Sequence, residues 1–119
     1  MEQHTVSSYE QELKSLDAKI AHMGGLCEQL LAQAIEALEK NDPELAEDVI
    51  TRDKNIDQLE NDIEELAVLM IARRQPVALD LRQIITAIRV AGDLERIGDL
   101  GKNISKRTLA IAGEPQPKR

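Results

Sequence analysis

From Tyr9 onward, Leu13, Leu16, Ile20, Met23, Cys27, Leu30, Ala34 and Ala37 recur at strictly alternating intervals of four and three residues. That alternation keeps one stripe of an α-helix apolar and fits no strand. Two proline-bearing breaks divide the rest of the chain. At Asn41-Asp42-Pro43 a capping Asn or Asp precedes a proline in the first turn, and Glu44 and Glu47 suit the positive end of a helix dipole. At Gln75-Pro76 the residue before proline is pushed out of the helical region, just past Arg73 and Arg74, which suit a helix carboxyl end. The spacing predicts a second helix from Pro43 to about Arg73, with Leu45, Val49, Ile56, Leu59, Ile63, Leu66 and Met70 inward. A third runs from about Val77 to Ala112, burying Ile84, Ala87, Ala91, Leu94, Ile97, Ile104 and Ile111 and stopping at Gly113. Helices of about 30 residues are each about 45 Å long. Turns this short make neighbours antiparallel, so the expected fold is all-α, an up-down-up three-helix bundle.

The 119 residues suit one domain, and residues 1–112 are assigned to the bundle. Residues 113–119, with two prolines and two terminal cations, read as a linker toward a further segment. The core must be aliphatic, because Phe and Trp are absent and Tyr9 is the sole aromatic. Base-stacking platforms and aromatic cages are therefore ruled out. A net charge of -7 repels phosphate backbones and anionic lipid, so no nucleic acid is expected and the partners are cations or basic protein surfaces. Cys27 stands alone on an apolar stripe, which fits a reducing, cytoplasmic setting. No apolar run reaches the roughly 20 residues that span a bilayer, so contact with a membrane would be peripheral, through partners.

Two carboxylate pairs at helical spacing, Asp53 with Asp57 and Glu95 with Asp99, are equidistant from Pro76. An antiparallel fold-back there brings Asp57 level with Glu95 and Asp53 level with Asp99, four acids on one patch. At an effective dielectric of 20, two like charges about 5 Å apart repel by roughly 3 kcal/mol. A bound metal would remove that cost. Gly92, Gly98 and Gly101 around the second pair together cost a helix about 2–3 kcal/mol, which close approach of another backbone or an ion would justify. Oxygen donors suit Mg, Mn, Ca or Fe better than a structural zinc site, and Asn103, one turn beyond Asp99, is a further oxygen donor. The competing interpretation is an ordinary solvated acidic face whose charges pair with Lys54 and Arg96, on a metal-free helical scaffold.

Enzymatic readings lack their parts. Neither His4 nor His22 has a Glu three residues before it, as a ferritin-type di-iron bundle requires, and there is no Walker loop or dinucleotide fingerprint. No catalytic residue is assigned and no enzyme is expected. His22, followed by Met23-Gly24-Gly25, loosely resembles the phosphoacceptor stretch of histidine phosphotransfer domains without its lysine, and supplies the alternative functional reading.

The stretch Asp93-Leu94-Glu95-Arg96-Ile97-Gly98-Asp99, with Gln75-Pro76-Val77-Ala78-Leu79-Asp80-Leu81-Arg82 and Asp53-Lys54-Asn55-Ile56-Asp57 before it, resembles the first repeat of the PhoU family of phosphate-signalling regulators. The resemblance implies one of two tandem three-helix repeats, with metal ions or clusters held by Asp53, Asp57, Glu95 and Asp99. The implied metals are divalent or trivalent ions such as Mg, Mn, Fe or Zn. It further implies a non-catalytic negative regulator of phosphate uptake and phosphate-starvation genes. Its partners would be the ATPase of a phosphate ABC transporter and the sensor histidine kinase of the phosphate regulon. Leu100 stands where many members carry His, so a nitrogen ligand from that position is lost. With no second repeat present, the chain is expected to be an amino-terminal half, or a single repeat that pairs with itself as a homodimer.

Overall fold

A computed structural model of the chain describes residues 2–113, with side chains from Ser8 onward. It contains three helices, α1 (Glu2–Lys40), α2 (Pro43–Arg74) and α3 (Ala78–Ala112), and each packs against both others. The result is a rod of 71 × 19 × 18 Å, the expected up-down-up bundle. The expected linker, apart from Gly113, lies outside the described residues.

Both breaks act as their chemistry requires. The Asp42 side chain accepts the backbone N–H of Leu45 at 3.1 Å, and Pro43 follows as the first helical residue, where its missing N–H costs nothing. Gln75 ends α2 in the left-handed region, at φ 47, with its N–H on the carbonyl of Ile71. Val77, extended and without a side-chain cap bond, precedes α3.

The buried seam of α1 runs through Leu16, Met23, Cys27, Leu30, Ala34 and Ala37, the stripe read from the sequence. On the other two helices the seam departs from it. In α3 it continues the alternation of Ile84, Ala87 and Ala91 through half-buried Leu94 to Gly98, Gly101, Ser105 and Thr108. Ile97 and Ile111, expected inside, lie one position off that line and are 39% and 42% exposed. The physical reason is space. A Cβ on Gly101 would sit 3.7 Å from the carbonyl oxygen of Leu30 and from Cα of Leu31, a separation between helices that leaves no room for an isoleucine. In α2 the seam uses Ala46, Val49, Asp53, Ile56, Ile63, Ala67 and Met70, while Leu45, Leu59 and Leu66 are only half-buried at its flank. A carboxylate thus occupies a core position of α2.

Candidate metal centre

Asp53 is 1% exposed. The heptad line that buries Val49 and Ile56 passes through it, so the helix has no freedom to turn it toward water. Facing it on α3 is Gly98, where an added Cβ would lie 2.9 Å from Asp53 Oδ1 and 3.2 Å from the Ile56 side chain. The glycine in α3 is therefore what makes room for the carboxylate of α2. Asp53 Oδ1 has no hydrogen-bond partner, although burying an unpaired acceptor costs about 1–3 kcal/mol.

Other acids gather around it. Asp53, Asp57 and Asp99 each offer a carboxylate oxygen, and the three oxygens lie within 4.8 Å of one another. Glu95, one turn before Asp99, shares a hydrogen bond with it and is pushed up to about 7, first by burial, then by that bond and by the charges of Asp99, Glu60 and Asp57. Asp53 is raised by burial and by Asp57, partly offset by Lys102. Glu60 is raised by burial and by the charges of Glu64, Asp57 and Asp99. In all three burial is the largest cause, and the neighbouring carboxylates add to it.

Among the described residues a single cation reaches into the group. Lys102 Nζ lies 3.8 Å from Asp53 Oδ2 and 4.0 Å from Asp99 Oδ1. Three acidic residues whose oxygens converge could bind a metal ion, and one of them, Asp53, is buried with an oxygen left unpaired. The donor set therefore fits an oxygen-coordinated ion. Cys27 adds no thiolate, because its Sγ donates to the Leu94 carbonyl at 3.1 Å and burial, then the charge of Asp53, pushes the thiol up.

Of the residues singled out by spacing, the bundle brings together Asp53, Asp57 and Asp99, with Glu95 joined through Asp99. Asn103 is exposed on α3 beyond Asp99, and His22 is exposed on α1. Arg96 does pair with an acid, Asp93 at 3.6 Å, but on the exposed side of α3. Lys102 is the member of the group that the spacing of acids does not single out. Its signal is nonetheless present, since it stands three residues after Asp99 on the same helix face.

Residues 20–108 match the family model described as the PhoU domain. A phosphate-specific transport system accessory protein PhoU homolog of Rhizobium meliloti (strain 1021) is 48% identical over 116 residues, covering 98% of this chain and 49% of that protein. The accessory protein PhoU of Escherichia coli (strain K12) is 38% identical over 109 residues, 92% of this chain and 45% of that protein. The crystal structure of PhoU from Pseudomonas aeruginosa superposes with a TM-score of 0.88 at 38% identity, covering 93% of this chain and 53% of that one. The chain thus spans about half the length of these relatives.

Proposed function

The chain belongs to the PhoU family, and on that premise we propose that it is a three-helix, metal-binding portion of a non-catalytic regulator of phosphate uptake. Its relatives carry the name of accessory proteins to phosphate-specific transport. The proposed partners follow from that association: the transporter's ATPase, and a sensor histidine kinase through which phosphate-starvation genes are held off. Residues 1–112 would be the functional repeat, with 113–119 as a linker. The setting is cytoplasmic and peripheral to the membrane; among the described residues no helix is long and apolar enough to cross it.

The observation that carries the metal reading is Asp53, a carboxylate in the core of α2 with one oxygen unpaired and the acids of α3 beside it. A bound divalent or trivalent ion supplies the positive charge that this cluster lacks. Asp53 and Asp57 would hold it from α2, and Glu95 and Asp99 from α3, with Asn103 as an outer oxygen donor. Because the donors come from two helices, occupancy would fix the distance between α2 and α3. The acidic face would lose much of its negative charge at the same time, and a charged face read by a basic partner would then change with occupancy.

Elemental analysis tests the reading. Protein purified without chelator is expected to carry stoichiometric metal, and the Glu95→Ala, Asp99→Ala double variant to carry little. Equal and negligible metal in both would overturn it. For the partners, immobilised chain is expected to retain the cytosolic part of a phosphate-sensing kinase, and no retention with or without metal would count against that assignment.

A further inference from the structure

Among the described residues Lys102 is the one cation placed between the two helices' acids, 3.8 Å from Asp53 Oδ2 and 4.0 Å from Asp99 Oδ1. Both separations are at the long edge of an ion pair and beyond ordinary hydrogen-bond range. The ammonium therefore balances charge without saturating the carboxylates. Asp53 Oδ1, on the same carboxylate, keeps no partner at all. The Lys102 side chain is 31% exposed, so the amine has a short path back to water. A lysine built to stabilise the fold would sit closer, as Arg74 does with Glu12 at 2.9 Å through Nε.

We infer that Lys102 is a resident counter-ion that occupies the cation position of the cluster when metal is absent and is displaced to solvent when metal binds. This rests on the proposed metal site. Lys102 is thus an affinity-setting residue rather than a ligand. An ammonium and a metal ion drawn to the carboxylates of Asp53 and Asp99 repel each other and cannot both sit among them. In the metal-free protein the ammonium thereby offsets one negative charge of the cluster. Metal must also displace a tethered cation, which weakens its apparent affinity. Lysine suits this exchange better than arginine, because its flexible stem and single strongly hydrated charge let go of a carboxylate more readily than a bidentate fork does.

The test is a Mn2+ titration, followed by the electron paramagnetic resonance of free Mn2+, on the wild-type chain and on Lys102→Met, Lys102→Arg and Asp53→Asn. Removing the competing charge is expected to tighten Mn2+ binding about tenfold in Lys102→Met, the scale of one unit charge acting across a partly wet site. Lys102→Arg should bind no more tightly than wild type. Wild-type or weaker affinity in Lys102→Met, with wild type binding normally, would overturn the inference and leave the metal site standing. No binding in any protein, or wild-type binding in Asp53→Asn, would instead overturn the metal site and the inference with it. A second readout uses the wild type alone. Acetylation of Lys102 by an amine reagent, read by mass spectrometry against an exposed lysine such as Lys54, is expected to quicken when Mn2+ is added. An unchanged or slower rate would show that the ammonium stays among the carboxylates, and would overturn the inference.

Discussion

Gly98→Ala is the perturbation whose outcome the packing decides most sharply. Alanine is favoured over glycine inside a helix by about 1 kcal/mol, so helix propensity alone predicts stabilisation. The new methyl, however, would meet Asp53 Oδ1 at 2.9 Å and two Ile56 side-chain carbons at 3.2 and 3.3 Å. Neither neighbour has anywhere to go, since Asp53 is 1% and Ile56 0% exposed. Overpacking of this kind costs about 1–3 kcal/mol, and moving a buried carboxylate puts the cost at the upper end. The net expectation is a loss of about 1–2 kcal/mol, a fall in melting temperature of about 4–10 °C for a domain of this size. Two glycines act as controls within the same fold. At Gly25 nothing lies within 4 Å of an added Cβ, so Gly25→Ala should gain about 0.5–1 kcal/mol. At Gly101 the nearest atoms are at 3.7 Å, an ordinary contact, so Gly101→Ala should be neutral or slightly stabilising. Thermal unfolding followed by circular dichroism at fixed pH, without metal, measures all three. Should Gly98→Ala melt at or above the wild-type temperature while Gly25→Ala gains stability, the tight fit of Asp53 against α3 would be refuted.

Three other outcomes rest on the same geometry. With its pKa raised from 4.5 to about 7, Glu95 binds more protons in the folded than in the unfolded chain between those values. Stability of the metal-free protein should therefore fall as pH rises from about 4.5 to 7, by about 2 kcal/mol once solvent screening at this partly open site is allowed for. Asp53 and Glu60, also raised, act in the same direction. Urea unfolding across that range checks it, and stability that rises with pH would contradict it. Asp53→Asn removes a buried charge while keeping the shape, so it should stabilise the metal-free chain at pH 7.5 by about 1 kcal/mol and abolish stabilisation by added Mn2+. Gln75→Gly, at a left-handed position with φ 47, should gain about 0.5–1 kcal/mol in the same unfolding assay.

The architecture was legible because its determinants are local. The cap at Asp42, the proline beside it and the stop at Gln75-Pro76 each act on their own neighbours, and the four-three stripe of α1 needs no knowledge of a partner helix. The pairing of Asp53 with Asp99 was legible for a related reason, since a short turn fixes which residues come level on antiparallel helices. The rotation of α2 and α3 was read only in part: Val49, Ile56, Ile63, Met70, Ile84, Ala87 and Ala91 are inside as expected, whereas Ile97 and Ile111 are not. Periodicity ranked Ile97 and Ile111 above Gly98, Ser105 and Thr108 because it scores hydrophobicity, whereas the bundle selected for small size where three helices meet. The same rotation makes Asp53 a core residue rather than part of an exposed acidic stripe. Lys102 is hard to pick out because it is a cation beside acids at helical spacing, a pattern that on most helices is a surface pair of little consequence. Only the depth of Asp53 distinguishes it.

Convergence of α2 and α3 oxygens on one ion can be observed directly. Crystals of the chain grown with Mn2+, measured at the manganese absorption edge, should give an anomalous difference peak within coordination distance of carboxylate oxygens from Asp53 and Asp99, and at least one from Asp57 or Glu95. A peak elsewhere on the rod, or none at saturating Mn2+ with these side chains well ordered, would contradict the account.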